Sequence, residues 1–93
     1  MKYVEWSAEK NTLLVQNRQV SFEDVLSALS SGRLIKTIAH PNQKKYNGQQ
    51  IFVVSIRDYI YLVPFVETEE KIFLKTIIPS RKATKKFLRK DAT

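Results

Sequence analysis

Residues 59–66, Tyr-Ile-Tyr-Leu-Val-Pro-Phe-Val, are apolar or aromatic at every position. In a strand, alternate side chains go to opposite faces, so Tyr59, Tyr61, Val63 and Phe65 share one face and Ile60, Leu62 and Val66 the other. Such a strand must be covered on both sides. A chain of 93 residues holds one core and buries about 60 to 65% of its unfolded surface. One face is therefore expected to take the chain's own helices, and the other to leave apolar surface for a partner, with Tyr61 and Phe65 as candidate contacts. Pro64 has no ladder donor, which places this strand at an edge or bulges it there.

The flanking sequence supplies further strands. Residues 33–39, 50–56 and 71–78 each read as strands, and short polar turns at Arg57-Asp58 and at residues 67–70 join the last three runs into an antiparallel four-stranded meander. Arg57-Asp58 lacks glycine, so a two-residue primed turn would be strained and a longer loop is expected. Before these strands come a short strand at residues 2–6 and two helices. Ser7 is a plausible N-cap for a helix over residues 8–17 with Leu13 and Leu14 inward. Ser21-Phe-Glu-Asp24 fits the capping-box pattern, with Phe22, Val25, Leu26 and Leu29 on one face and Gly32 as the left-handed stop. Trp6, Phe22, Leu26 and Phe73 are expected in the core. The class is α+β.

The last element is a basic amphipathic helix. Residues 80–90 carry six of the sixteen basic residues and no acid. At about 100° per residue, Arg81, Lys82, Lys85, Lys86, Arg89 and Lys90 fall on one half, and Ala83, Thr84, Phe87 and Leu88 on the other. The net charge of +7 is concentrated beyond residue 32, since residues 1–32 hold three basic and four acidic residues. Crowded cations repel one another, and a polyphosphate or an acidic protein relieves that repulsion. Phe87 and Leu88 join the candidate partner contacts.

Other chemistries lack their residues. With no cysteine there is no disulfide framework, thiolate metal site or thiol nucleophile. Two glycines cannot build a phosphate-cradling loop, and Glu67, Glu69 and Glu70 cluster in a turn without metal-ligand spacing. No cofactor or metal is expected. No apolar run approaches the roughly 18 residues needed to span a bilayer, and no leader pattern is evident, so a cytoplasmic protein without membrane association is expected.

Several residues narrow the reading. Trp6, Lys10, Val20, Ser21, Phe22 and Glu23 stand at the spacing of a W-D-x-x-K…H-G-V-S-F-E signature, and Ile78, Arg81, Ala83 and Thr84 at that of a closing I-S-x-R-x-A-T-x-x-E. In both motifs the chain resembles the BrnT toxins of bacterial type II toxin-antitoxin pairs, within the RelE/ParE-like group. It departs at Ser7, Arg18-Gln19, Pro79 and Phe87, where the family has Asp, His-Gly, Ser and Glu. The resemblance implies a RelE-like fold and a ribonuclease that stops translation, with RNA as the substrate and the ribosome as a further candidate partner. It also implies a ribbon-helix-helix antitoxin of the BrnA type, and a 2:2 assembly that represses its own promoter DNA.

Cleavage of RNA by its own 2′-hydroxyl needs a proton acceptor, donors for the phosphorane oxygens and a proton for the leaving 5′-oxygen. His40 is the only histidine. It lies in a polar loop, residues 40–48, with Lys44, Lys45 and Tyr46. A second group of near-neutral pKa must then be Lys45 or another lysine beside positive charge, or Tyr46. Arg81 is the expected phosphate clamp, because its planar donors grip phosphate bidentately and it matches the closing motif. Lys44, Arg57, Lys82, Lys85 and Lys86 are candidate RNA contacts, although loop and turn charges are often only solvated. Tyr46 either stacks on a base or anchors the turn. Lys75, a charge inside an apolar strand, either pairs with a cross-strand acid or points into the cleft. The reading from a different class is a basic RNA- or DNA-binding module without catalysis.

Overall fold

The computed structural model describes residues 2–45 and 48–88. Their order is β1 (Tyr3–Glu5), α1 (Ala8–Arg18), α2 (Phe22–Ser30), β2 (Leu34–Ala39), β3 (Gln49–Ile56), β4 (Tyr59–Glu67), β5 (Lys71–Leu74), β6 (Ile78–Pro79) and α3 (Arg81–Phe87). This is an α+β fold with three helices and a mixed six-stranded sheet among the described residues.

Capping starts the first two helices. The Ser7 hydroxyl accepts the Lys10 amide at 3.1 Å. At α2 the box is complete: Ser21 Oγ accepts the Asp24 amide at 3.1 Å, and Asp24 Oδ2 accepts the Ser21 amide at 2.9 Å. Asn11 ties the two helices together, its Oδ1 accepting the Phe22 amide and its Nδ2 donating to Glu23 Oε1, both at 2.7 Å. Helix α2 stops at Gly32, whose φ of 78° carries the chain into the left-handed turn. The Arg33 amide then returns to the Ala28 carbonyl at 2.8 Å, the long bond of a Schellman end.

The sheet runs β1-β5-β4-β3-β2, with β6 pairing β4 beside the end of β5. β1 is parallel to β5, and the other pairs are antiparallel. Leu14, Val20, Phe22, Val25 and Ala28 pack on Phe52, Val54, Ile56, Val63 and Phe65, so α1 and α2 cover one face. Phe52 stacks on Phe65, their centroids 3.9 Å apart.

Several expectations need correction. Phe65 is 1% exposed and cannot serve as a partner contact, because α1 and α2 close over it; Tyr61 is half-buried against the same core. The second face of β4 is partly covered by the chain itself, since α3 packs there and Ile60 is fully buried. Pro64 lies in the central strand and not at an edge. Its carbonyl accepts the Lys75 amide at 2.8 Å, and its missing donor faces the gap where β5 has ended at Leu74 and β6 begins only at Ile78. Leu13 is exposed beside buried Leu14, because neighbouring positions on a helix diverge by about 100°. Ala28 takes the inward place expected for Leu26, which is 38% exposed. Finally, Arg57 and Asp58 form a two-residue turn, with Ile56 opposite Tyr59 and φ of 50° and 62°.

Candidate functional site

Helix α3 has only seven residues, too few to hold itself in water. Its position comes from two side chains. Ser80 caps it, accepting the Ala83 amide at 3.1 Å. Thr84, 2% exposed, accepts the Ile60 amide at 2.9 Å and donates to the Ser80 carbonyl at 2.8 Å. The Ser80 amide in turn donates to the Ile60 carbonyl at 3.0 Å. Both outward groups of Ile60 thus hold the start of α3, and the helix is fixed to the centre of the sheet.

With Thr84 turned inward, the cations divide into two pairs one turn apart. Arg81 and Lys85 lie on one flank, Lys82 and Lys86 on the other. The first pair lines a cleft of about 350 Å³ with Tyr59 and Thr84. Its lining is mostly polar. A guanidinium, an ammonium and a phenol surround it, a set of donors that fits a phosphodiester and its sugar. The second pair rims a groove of about 240 Å³ whose floor includes Ile38, Val53, Leu62 and Ala83. Lys36 of β2 closes the far side. The Lys36 and Lys86 ammoniums sit 5.7 and 5.5 Å from the centre of the Phe87 ring. Among the described residues, Arg81, Lys82, Lys85, Lys86 and Lys36 form no ion pair with a carboxylate.

The structure places the other expected residues elsewhere. His40 lines neither cleft. Its amide donates to the Gln49 carbonyl at 3.0 Å, and its Nδ1 accepts the Asn42 amide at 3.1 Å. That second bond uses the ring to shape the loop. Lys44 and Lys45 are exposed on the same loop, away from both clefts. Tyr46 lies outside the described residues, as do Arg89 and Lys90 of the expected basic helix. Lys75 is exposed just beyond β5 and lines neither cleft; it has no acidic partner among the described residues, so neither role expected for it is realised. Arg57 works within the fold: one terminal nitrogen donates to the Gln19 carbonyl at 2.6 Å and the other is 3.4 Å from Asp24. Leu88 is 38% exposed just past the end of α3.

Tyr59 and Lys36 were not evident as site residues from the sequence. Tyr59 reads there as one more residue on an apolar strand face. Lys36 carries the same signal that singles out Lys75, a charge within an apolar strand, and it is the one the fold brings to a cleft. Among the described residues no cluster of three or more His, Asp or Glu could hold a metal ion, and no helix is long and apolar enough to cross a membrane. The Glu23 carboxyl, which lies outside both clefts, is held below its ordinary value of 4.5, chiefly by the Asn11 amide. Neither a family model, nor a curated protein, nor a solved structure matches the chain.

Proposed function

We propose that this chain is the toxin of a type II toxin-antitoxin pair, a cytoplasmic endoribonuclease that halts translation by cutting RNA at the Arg81–Lys85–Tyr59 cleft. The observation that carries the reading is the set of five cations around one short, firmly docked helix, none paired with a carboxylate among the described residues. Such a field draws in a polyphosphate and holds it without displacing an internal partner. The motifs shared with BrnT-like toxins, the first reaching α1 and α2 and the second β6 and α3, support a toxin over other RNA-binding proteins. A RelE-like arrangement of the sheet, a ribbon-helix-helix antitoxin, a 2:2 complex and promoter binding through that complex belong to the same proposal.

In this mechanism the 2′-oxygen forms a bond to phosphorus as the bond to the 5′-oxygen breaks, leaving a cyclic phosphate and a 5′-hydroxyl. Arg81 and Lys85 meet the charge that builds on the non-bridging oxygens, where preorganised donors act most strongly. Tyr59 hydrogen-bonds the same phosphodiester or its ribose. The proton passes from the 2′-hydroxyl to the leaving oxygen through solvent or a group of the cleft.

Induced expression of the intact chain in bacteria is the test. Growth should stop, and purified protein should cut RNA without added divalent metal. Arg81→Ala should lower cleavage about 100-fold or more with an unchanged melting temperature. A large drop in that temperature would make Arg81 structural. The placement of His40 outside both clefts favours a second reading, a binding module without catalysis. Normal growth and intact RNA, with and without ribosomes, would decide for it.

A further inference from the structure

We propose that the free edge of β2, together with the groove beside it, docks an extended acidic segment of a partner protein as an added strand. The inference stands on the sheet edge and the groove, and does not depend on RNA being bound at Arg81. Among the described residues β2 ends the sheet and pairs only with β3. The His40 amide bonds to the Gln49 carbonyl, and the register sets Ile38 opposite Ile51 and Lys36 opposite Val53. In an antiparallel ladder the bonded pairs alternate, so the backbone groups of Lys36, Ile38 and His40 point at β3. Those of Thr37 and Ala39, between them, point outward, with no strand beyond them among the described residues. Two donors and two acceptors are thus presented at strand spacing. They fit another polypeptide backbone, and a nucleic acid has no matching series.

The groove specifies which polypeptide. Lys36 and Ile38 belong to β2 and also line the groove, so a strand added at the edge lays alternate side chains over it. The floor of Ile38, Val53 and Leu62 suits an apolar anchor. Lys36, Lys82 and Lys86 at the rim have no carboxylate partner among the described residues, so acidic side chains beside the anchor complement them. The floor of Ile38, Val53, Leu62 and Ala83 is apolar, the Ser80 hydroxyl in the lining already accepts the Ala83 amide, and two ammoniums sit over Phe87. The bulge between Leu34 and Lys36 limits the docking edge to the second half of the strand.

The probe is a short synthetic peptide alternating glutamate and valine, measured by fluorescence anisotropy and by amide hydrogen exchange on the full chain. It should bind, and at saturation exchange at Thr37 and Ala39 should slow by about tenfold or more. N-methylation of alternate peptide nitrogens, which leaves the protein untouched, should weaken binding about tenfold. Lys36→Glu with Lys86→Glu should do the same, and Ala39→Pro, which removes only an outward donor, should abolish binding with the fold intact. Failure of the peptide to bind, or equal binding after N-methylation, overturns strand addition. Protection of Thr37 and Ala39 by self-association would make the occupant a second copy, and saturation of the groove by oligouridylate in place of the peptide would make it nucleic acid.

Discussion

Thr84 is where the fold and the proposed site meet. Its hydroxyl satisfies the Ile60 amide in the buried centre of the sheet while closing on the Ser80 carbonyl. Thr84→Val keeps the shape and leaves that amide without an acceptor, at a cost of about 1 to 3 kcal/mol. Thr84→Ser should lose much less, and paired denaturant titrations of the two variants would show the difference. Loss of RNA binding in Thr84→Val beyond what its unfolded fraction explains would confirm that Thr84 also orients Arg81. Asn11 and Glu23 carry a pH dependence. The Glu23 carboxyl is held below 4.5 in the folded chain, first by the Asn11 amide and then by a backbone bond. Stability from this pair is present above the unfolded value and is lost as pH falls through the folded one. Asn11→Ala should therefore narrow the stability difference between pH 7 and acid, while lowering stability throughout, because the Phe22 amide also loses its acceptor. A melting curve shifted equally at every pH would contradict the assignment. The sequence places Thr84 on the inward half of its helix, but its bond to a residue in another element depends on how α3 crosses β4, which periodicity does not convey.

Among the elements, α1, α2 and most strand positions are legible because their signals are local. The caps at Ser7 and Ser21 and the stop at Gly32 lie where the residues demand. The β3–β4 turn is not legible, since a tertiary contact overrides the local cost. Arg57 and Asp58 both take positive φ without being glycine, and Arg57 spans from the turn to the end of α1 and the start of α2. The strain of the left-handed region, about 1 kcal/mol per residue, is tolerated for that clamp. Asp58→Gly should then raise stability by about 0.5 to 1 kcal/mol, read as a higher denaturation midpoint with an unchanged slope. A lower midpoint would mean that the Asp58 side chain itself holds the turn. Pro64 misleads in the same way: its missing donor suggests an edge, yet a central strand accommodates it where one neighbouring strand ends and the next has not begun.

At the scale of the whole molecule, the two-sided strand β4 explains the layers: α1 and α2 cover one face, α3 lies on the other, and the second cover brings the cations to the sheet. The sequence shows that the second face needs cover. It does not show that the basic helix provides it, because amphipathicity gives a helix a buried side without saying against what. The expected site split for the same reason: Arg81 and Lys85 come together with Tyr59, whereas His40 and Lys75 remain with their own loop and strand end. The central claim is that RNA is held by the α3 cations, and the salt dependence of single-stranded RNA binding to the intact chain tests it most directly. Each phosphate contact contributes about 0.7 to the slope of log affinity against log salt concentration. Arg81→Ala and Lys85→Ala should each weaken binding and lower the slope by roughly that amount, while Lys44→Ala on the distant loop should leave it unchanged. Equal slopes for the parent chain, Arg81→Ala and Lys85→Ala, or a drop confined to Lys44→Ala, would contradict the account.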